Sequence, residues 1–145
     1  MSEPKQSVGM DAFFTRERAN DGIELPLYLP TGEKSEHWLR IRGIDSDVFR
    51  EAEAEHKREA MRIAMLDDPK ERAKAIADAK LSLLAALVIG WSFDQPCTPD
   101  EVKILFRQAP QLADAVDQAA SRRAIFFAKR SSSSDEQQKP SSDST

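Results

Sequence analysis

Around Asp45 the spacing of apolar residues changes, and no single kind of secondary structure accommodates both halves. Before it, Ile23, Leu25, Leu27 and Leu29 alternate with Glu24, Pro26 and Tyr28. Leu39 and Ile41 then alternate with Trp38, Arg40 and Arg42. Alternation places successive side chains on opposite faces of a strand. After Asp45, apolar residues recur at helical spacing in sequence rich in Ala, Glu, Lys, Arg and Met, all good helix formers. The expected fold is therefore α+β and mostly α: a small domain of about four helices with an N-terminal β-hairpin.

The hairpin spans about residues 23–43, and Pro30-Thr-Gly-Glu-Lys-Ser-Glu36 supplies its turn. Pro26 cannot donate a ladder hydrogen bond, so the first strand is expected at an edge or kinked. A lone hairpin is marginal in water, so the leucine face must lie on the helices.

Four helices are expected, at about 46–66, 69–90, 98–109 and 111–129. Asp45 or Ser46 caps the first, whose apolar stripe is sparse: Val48, Ala52, Met61 and Met65. Asp68-Pro-Lys-Glu71 starts the second, with a capping Asp and Pro at N1. Leu81, Leu83, Leu84, Leu87, Val88 and Ile89 leave it little polar face, which marks it as the central element, with Gly90 as its stop. Trp91 to Cys97 reads as a loop. Thr98-Pro-Asp-Glu101 opens the third helix and Pro110 breaks or kinks it. Leu112, Ala115, Val116 and Ala119 begin the fourth, which runs into Ile125-Phe-Phe127.

The remaining segments lack such periods. Residues 1–22 read as a flexible arm with Phe13-Phe14 as an apolar anchor. Residues 23–130 form the single globular domain. Ser131–Thr145 contains no Val, Ile, Leu, Met or aromatic residue and is expected to be a disordered Ser-rich tail.

Composition narrows the function classes. A chain of 145 residues can bury one core without staples. The single cysteine, Cys97, permits no intramolecular disulfide and fits a reducing cytosol. No apolar run follows Met1-Ser-Glu-Pro-Lys5, so no secretory signal is expected. The longest uncharged stretch, Leu81 to Phe93, is too short to span a bilayer. A net charge of −4 argues against broad binding to nucleic acid or anionic membrane.

Catalytic and metal constellations are absent from the pattern. His37 and His56 belong to no HExxH motif, and Cys97 has no companion for a zinc site. A nucleophilic Cys97 would need a base and an orienting group. Glu51, Glu53, Glu55 and Glu59 read as a solvated helix face. The five glycines are scattered singly, so no phosphate-cradling loop is present. The expectation is a non-enzyme with no cofactor and no metal.

Binding to a partner is the better candidate. With the leucine face buried, Tyr28, Trp38, Arg40 and Arg42 are expected to share the outer face, and these residue types are enriched at interface hot spots. The competing reading covers that face within the same domain. Phe13 and Phe14 either dock on the domain or insert into a partner's groove. Phe126 and Phe127 either close the core or bind a partner.

The order of three segments carries a resemblance. Phe13-Phe-Thr-Arg-Glu-Arg-Ala-Asn20 is followed by Leu25-Pro-Leu-Tyr-Leu-Pro-Thr-Gly32 and by His37-Trp-Leu-Arg-Ile-Arg-Gly-Ile-Asp-Ser46. Gly90-Trp-Ser-Phe93, Cys97-Thr-Pro-Asp-Glu101 and Arg122-Arg-Ala-Ile-Phe-Phe-Ala-Lys129 continue the series. Together they resemble the tail assembly chaperones of long-tailed bacteriophages over about Phe13 to Lys129. The resemblance implies a protein of the host cytoplasm that binds the tape measure protein. It would keep that long helical chain soluble while the tail tube polymerises, and be missing from the mature virion. It also implies contact with the tail tube protein through a longer frameshifted form, and no binding to nucleic acid or membrane. The alternatives weighed are a structural tail or connector subunit retained in the virion, and a small DNA-binding regulator using Arg40, Arg42, Arg122 and Arg123.

Deleting Ser131–Thr145 is expected to leave the Tm unchanged in a thermal melt, because the segment has nothing apolar to bury. A large fall would refute the tail reading.

Overall fold

A computed structural model describes residues 8–127, so the Ser-rich segment and residues 128–129 of the last expected helix lie outside the described residues. The fold is α+β and mostly helical. A 3-10 turn, Met10–Phe13, precedes helix α1, Arg16–Asp21. Strands β1, Ile23–Tyr28, and β2, Lys34–Ile41, follow. Helices α2, Asp47–Ala64, and α3, Pro69–Ala85, lead to strand β3, Val88–Trp91. Helices α4, Pro99–Gln108, and α5, Pro110–Ala120, complete the series.

The three strands form one antiparallel sheet in the order β1-β2-β3, with β2 in the middle. Ile23 faces Ile41 and Leu25 faces Leu39. The turn closes where Gly32 N–H donates to Leu29 O and Leu29 N–H donates to Glu33 O, both at 2.8 Å. β2 therefore starts at Lys34, inside the segment expected to be turn. The register then slips, since Pro26 faces Trp38 but Tyr28 faces Lys34. Ser35 fills the gap: its hydroxyl donates to Leu27 O (2.8 Å) and accepts from His37 N–H (3.0 Å). Pro26, which has no N–H to offer a ladder, sits beside this irregularity on an edge strand.

Strand β3 corrects the second expected helix, which does not continue to residue 90. Its apolar run divides, with Leu81–Ala85 helical and Val88–Trp91 extended. Val88 and Ile89 are β-branched and fit a pleated surface better than a helix. The open edge of β2 offers them a ladder: Leu39 faces Trp91, Arg40 faces Gly90 and Ile41 faces Val88. The segment Trp91–Cys97, expected to be loop throughout, thus begins in a strand. α3 is also not the all-round buried element. It buries only Leu84 and Ala85, while Ile76 is 57% exposed.

The core lies between the sheet and α3, α4 and α5. Leu39 and Ile41 from β2, Leu87 ahead of β3, Val102 and Phe106 from α4 and Val116 from α5 are its largest fully buried members. The expected caps are in place. Ser46, fully buried, accepts from Phe49 N–H, Asp68 from Lys70 N–H, and Thr98 from Glu101 N–H. Pro110 begins α5 at its first turn. α2 buries only Phe49 and Ile63 and packs chiefly on α3.

The last expected helix is broken. α5 stops at Ala120, and residues 123–127 form a separate helical turn. The break carries Phe126 into a site beside α1, where it is buried. Gly43 makes this possible, because a Cβ there would lie 3.1 Å from Ala19 Cβ and 3.2 Å from the Phe126 ring. Gly22, at φ +79°, is equally constrained: a Cβ would meet Ile41 O at 2.5 Å. The N-terminal segment expected as an arm thus carries α1, with Ala19 buried.

Asp45 fastens the two ends together. Its carboxylate accepts from Thr15 Oγ1 (2.7 Å) and from Arg123 Nε (2.6 Å) and Nη2 (2.9 Å). The Arg123 hydrogen bonds hold the Asp45 carboxyl below the ordinary aspartate range, outweighing its partial burial, and Thr15 and Arg50 add to the effect. A depressed folded pKa contributes stability above the unfolded value, about 3.9, that is lost as pH falls through the folded value. Asp45→Asn is therefore expected to lower the Tm at pH 7, with the gap to wild type closing as pH drops below about 4. Thermal melts across that range would check it, and a gap constant with pH would contradict it.

Candidate functional site

The eight residues expected to meet a partner do not form one surface. Trp38 and Arg40 share the outer face of β2 opposite Pro26 and Glu24. There Trp38 lines a shallow depression with Glu24, Pro26, Lys34 and His37. Among the described residues its indole N–H has no hydrogen-bond partner, while its backbone N–H donates to Ser92 Oγ (2.9 Å). Tyr28 stands beyond the register slip, is 53% exposed, and lines a different groove between β1 and α5.

The two arginines are engaged inside the domain. Arg40 Nη2 donates to Asp21 O (2.7 Å) at the end of α1, and Arg42 Nη1 donates to Ala86 O (2.5 Å) at the C-cap of α3. A cation on these last carbonyls is favourable, because they carry the negative end of the helix dipole. Burial pulls the Arg42 pKa below its ordinary value. Arg123, on Asp45, is similarly held. The arginines that a DNA-binding reading would use are thus largely committed to the fold.

The phenylalanines divide in the same way. Phe126 is buried, and Phe127 is half-buried with the Arg18 guanidinium 4.6 Å above its ring. Phe13 and Phe14 are 75% and 57% exposed, so Ala19 and Thr15, not the phenylalanine pair, anchor the N-terminal segment.

Two open grooves have mostly apolar walls. The β1–α5 groove, ≈ 430 Å³, is built from Leu25, Leu27, Leu29, Pro30, Leu112 and Ala115, with Tyr28 and Arg122 at its border. The α2–α3 groove, ≈ 420 Å³, is floored by Ala52, Ala75, Ala79 and Leu83, with Glu55, Glu59 and Asp78 beside them. Its floor was missed at the level of sequence. The signal was the spacing of Ala75, Ala79 and Ser82, which repeats down one helix face. The carboxylates are paired, Glu55 with Arg58, Glu59 with Arg62, and Asp78 with Lys103 on α4.

His56 lines the α2–α3 groove, and His37 packs beside Ser92. His37 Nδ1 lies 2.9 Å from Ser92 Oγ and its ring packs on Phe93 at 4.5 Å. Burial pushes the Cys97 thiol up, away from the thiolate that a nucleophile requires. Among the described residues no three His, Cys, Asp or Glu side chains gather as metal ligands, and no helix is long and apolar enough to cross a membrane.

No protein-family model, no curated protein and no solved structure matches the chain.

Arg42→Ala removes a partly buried, charge-assisted hydrogen bond and is expected to destabilise the fold by about 1.5–3 kcal/mol. Trp38→Ala is expected to leave cooperative unfolding intact. Denaturant titration of both variants checks the contrast, and a melted Trp38 variant would place that side chain in the core.

Proposed function

We propose that this chain is a tail assembly chaperone of a long-tailed bacteriophage. It binds the tape measure protein and keeps that long helical chain soluble in the host cytoplasm while the tail tube polymerises. It acts as a binding protein, with no catalytic step, and a longer frameshifted form makes the contact with the tail tube protein. The observation that carries the reading is the ordered series of motifs from Phe13 to Lys129.

The geometry supplies what such a partner needs. A helix lying in a groove requires a straight apolar floor without bulky side chains. We assign the α2–α3 groove as that seat, since Ala52, Ala75 and Ala79 let a third backbone approach. The charged outer surface of α2 keeps the unloaded protein soluble. Trp38, half-buried on the hairpin and, among the described residues, free of hydrogen bonds from its indole, offers a second contact of the type that anchors interfaces.

A tagged pull-down from phage-producing cells, read by mass spectrometry, tests the reading. The expected catch is a very long helical tail protein, captured by the wild type and lost with Ala79→Arg. Particles purified from the same cells are expected to lack this chain. Its presence there in stoichiometric amount would favour a structural tail or connector subunit instead.

A further inference from the structure

An exposed apolar knob and an apolar groove lie on the same chain without touching. The first is a knob at the N-terminal end. Met10, Phe13 and Phe14 are 77%, 75% and 57% exposed, although the short 3-10 turn holds them in place. Gly9 O accepts from Ala12 N–H (3.1 Å) and Asp11 O from Phe14 N–H (3.2 Å). Thr15, the next residue, is tied to Asp45, and Arg16 to Asp47. The knob is therefore presented by a fixed base. Exposed aromatic groups in such a setting mark a contact surface, since water leaves their faces unsatisfied.

The second feature is the β1–α5 groove. Its walls are Leu25, Leu27, Leu29, Leu112 and Ala115, and no residue of the knob lines it. Among the described residues its one charged lining group is Arg122, which makes no ion pair. The knob's one charged side chain is Asp11, also without an ion pair among the described residues. The two surfaces thus match in apolar character and are opposite in charge.

We propose that the knob of one copy of this chain seats in the β1–α5 groove of a second copy. Phe13 and Phe14 would lie between the hairpin leucines and α5, and Asp11 would meet Arg122. The contact is head-to-tail, because the two surfaces differ, so each copy keeps a free knob or groove until a ring closes. At these exposures the knob supplies about 300–400 Å² of apolar area. That is roughly half of the ~800 Å² per partner in a standard stable interface. The association is accordingly weak and reversible, appearing only as concentration rises. This inference stands apart from the partner proposed above, which uses a different groove.

Sedimentation equilibrium of the full chain from about 10 to 500 μM tests it, a range around the affinity that such a small interface allows. The wild type is expected to show an average mass that climbs with concentration. Phe13→Ser with Phe14→Ser should weaken association about tenfold or more, as should Ala115→Arg in the groove. Mixing the two variants is the sharper experiment. Each retains the half that the other lacks, so the mixture is expected to form a dimer and nothing larger. Arg122→Glu with Asp11→Lys, on exposed sites, should restore what either change alone removes, and it keeps the test open if Ala115→Arg misfolds. A wild type that stays monomeric throughout would overturn the proposal. So would a mixture that stays monomeric, or a knob variant that associates like the wild type. A monomer in which a groove substitution shifts the NMR signals of Phe13 would show the knob docking on its own chain, and would equally overturn it.

Discussion

Everything in this fold leans on β2. Leu39 and Ile41 are fully buried, and the strand is hydrogen-bonded along both edges, to β1 on one side and to β3 on the other. A two-stranded hairpin would leave one edge of β2 open and one face wet. The third strand closes the edge, and α4 and α5 close the face through Val102, Phe106 and Val116. The chain that leaves α3 is tied to the same strand's exit, where Arg42 N–H donates to Leu87 O and the Arg42 guanidinium to Ala86 O. One residue thereby ends a helix and guides the next segment to the sheet.

The segments flanking the core meet at the start of α2. Gly43 leaves room for Phe126 against Ala19, and Asp45 gathers Thr15 and Arg123. This junction explains why residues that resembled an interface from their types alone serve the fold. Arg40 and Arg42 hold backbone carbonyls, and Phe126 fills a packed site. The same junction sets Phe13 and Phe14 outside, because the chain ahead of Thr15 projects from its fastened base.

The surface offers two open grooves with mostly apolar walls. The molecule's ion pairs lie mostly on the outside, and exposed pairs of this kind contribute little to stability. The long α2–α3 pair is sparsely buried, which leaves two helix faces open along most of their length. A molecule built this way suits reversible packing against apolar helices, the task that the proposed chaperone role requires.

Much of this was written locally in the chain. The change from alternation to helical spacing at Asp45 separated hairpin from helices, and Ser46, Asp68 and Thr98 marked three helix starts, because caps act within one turn. The α2–α3 groove was only faintly legible, as a repeat of small residues. The sequence by itself determined those short-range features. Tertiary structure alone decided that Val88–Trp91 would leave the helix for the open edge of β2, that Ser35 would absorb a register slip, and that the last helix would break to seat Phe126. It also decided that Arg40 and Arg42 would be spent on carbonyls. The physical reason is common to all four: each depends on a hydrogen-bonding edge, a carbonyl or a cavity supplied by residues distant in sequence, and local propensity contains no term for a partner that only folding brings near.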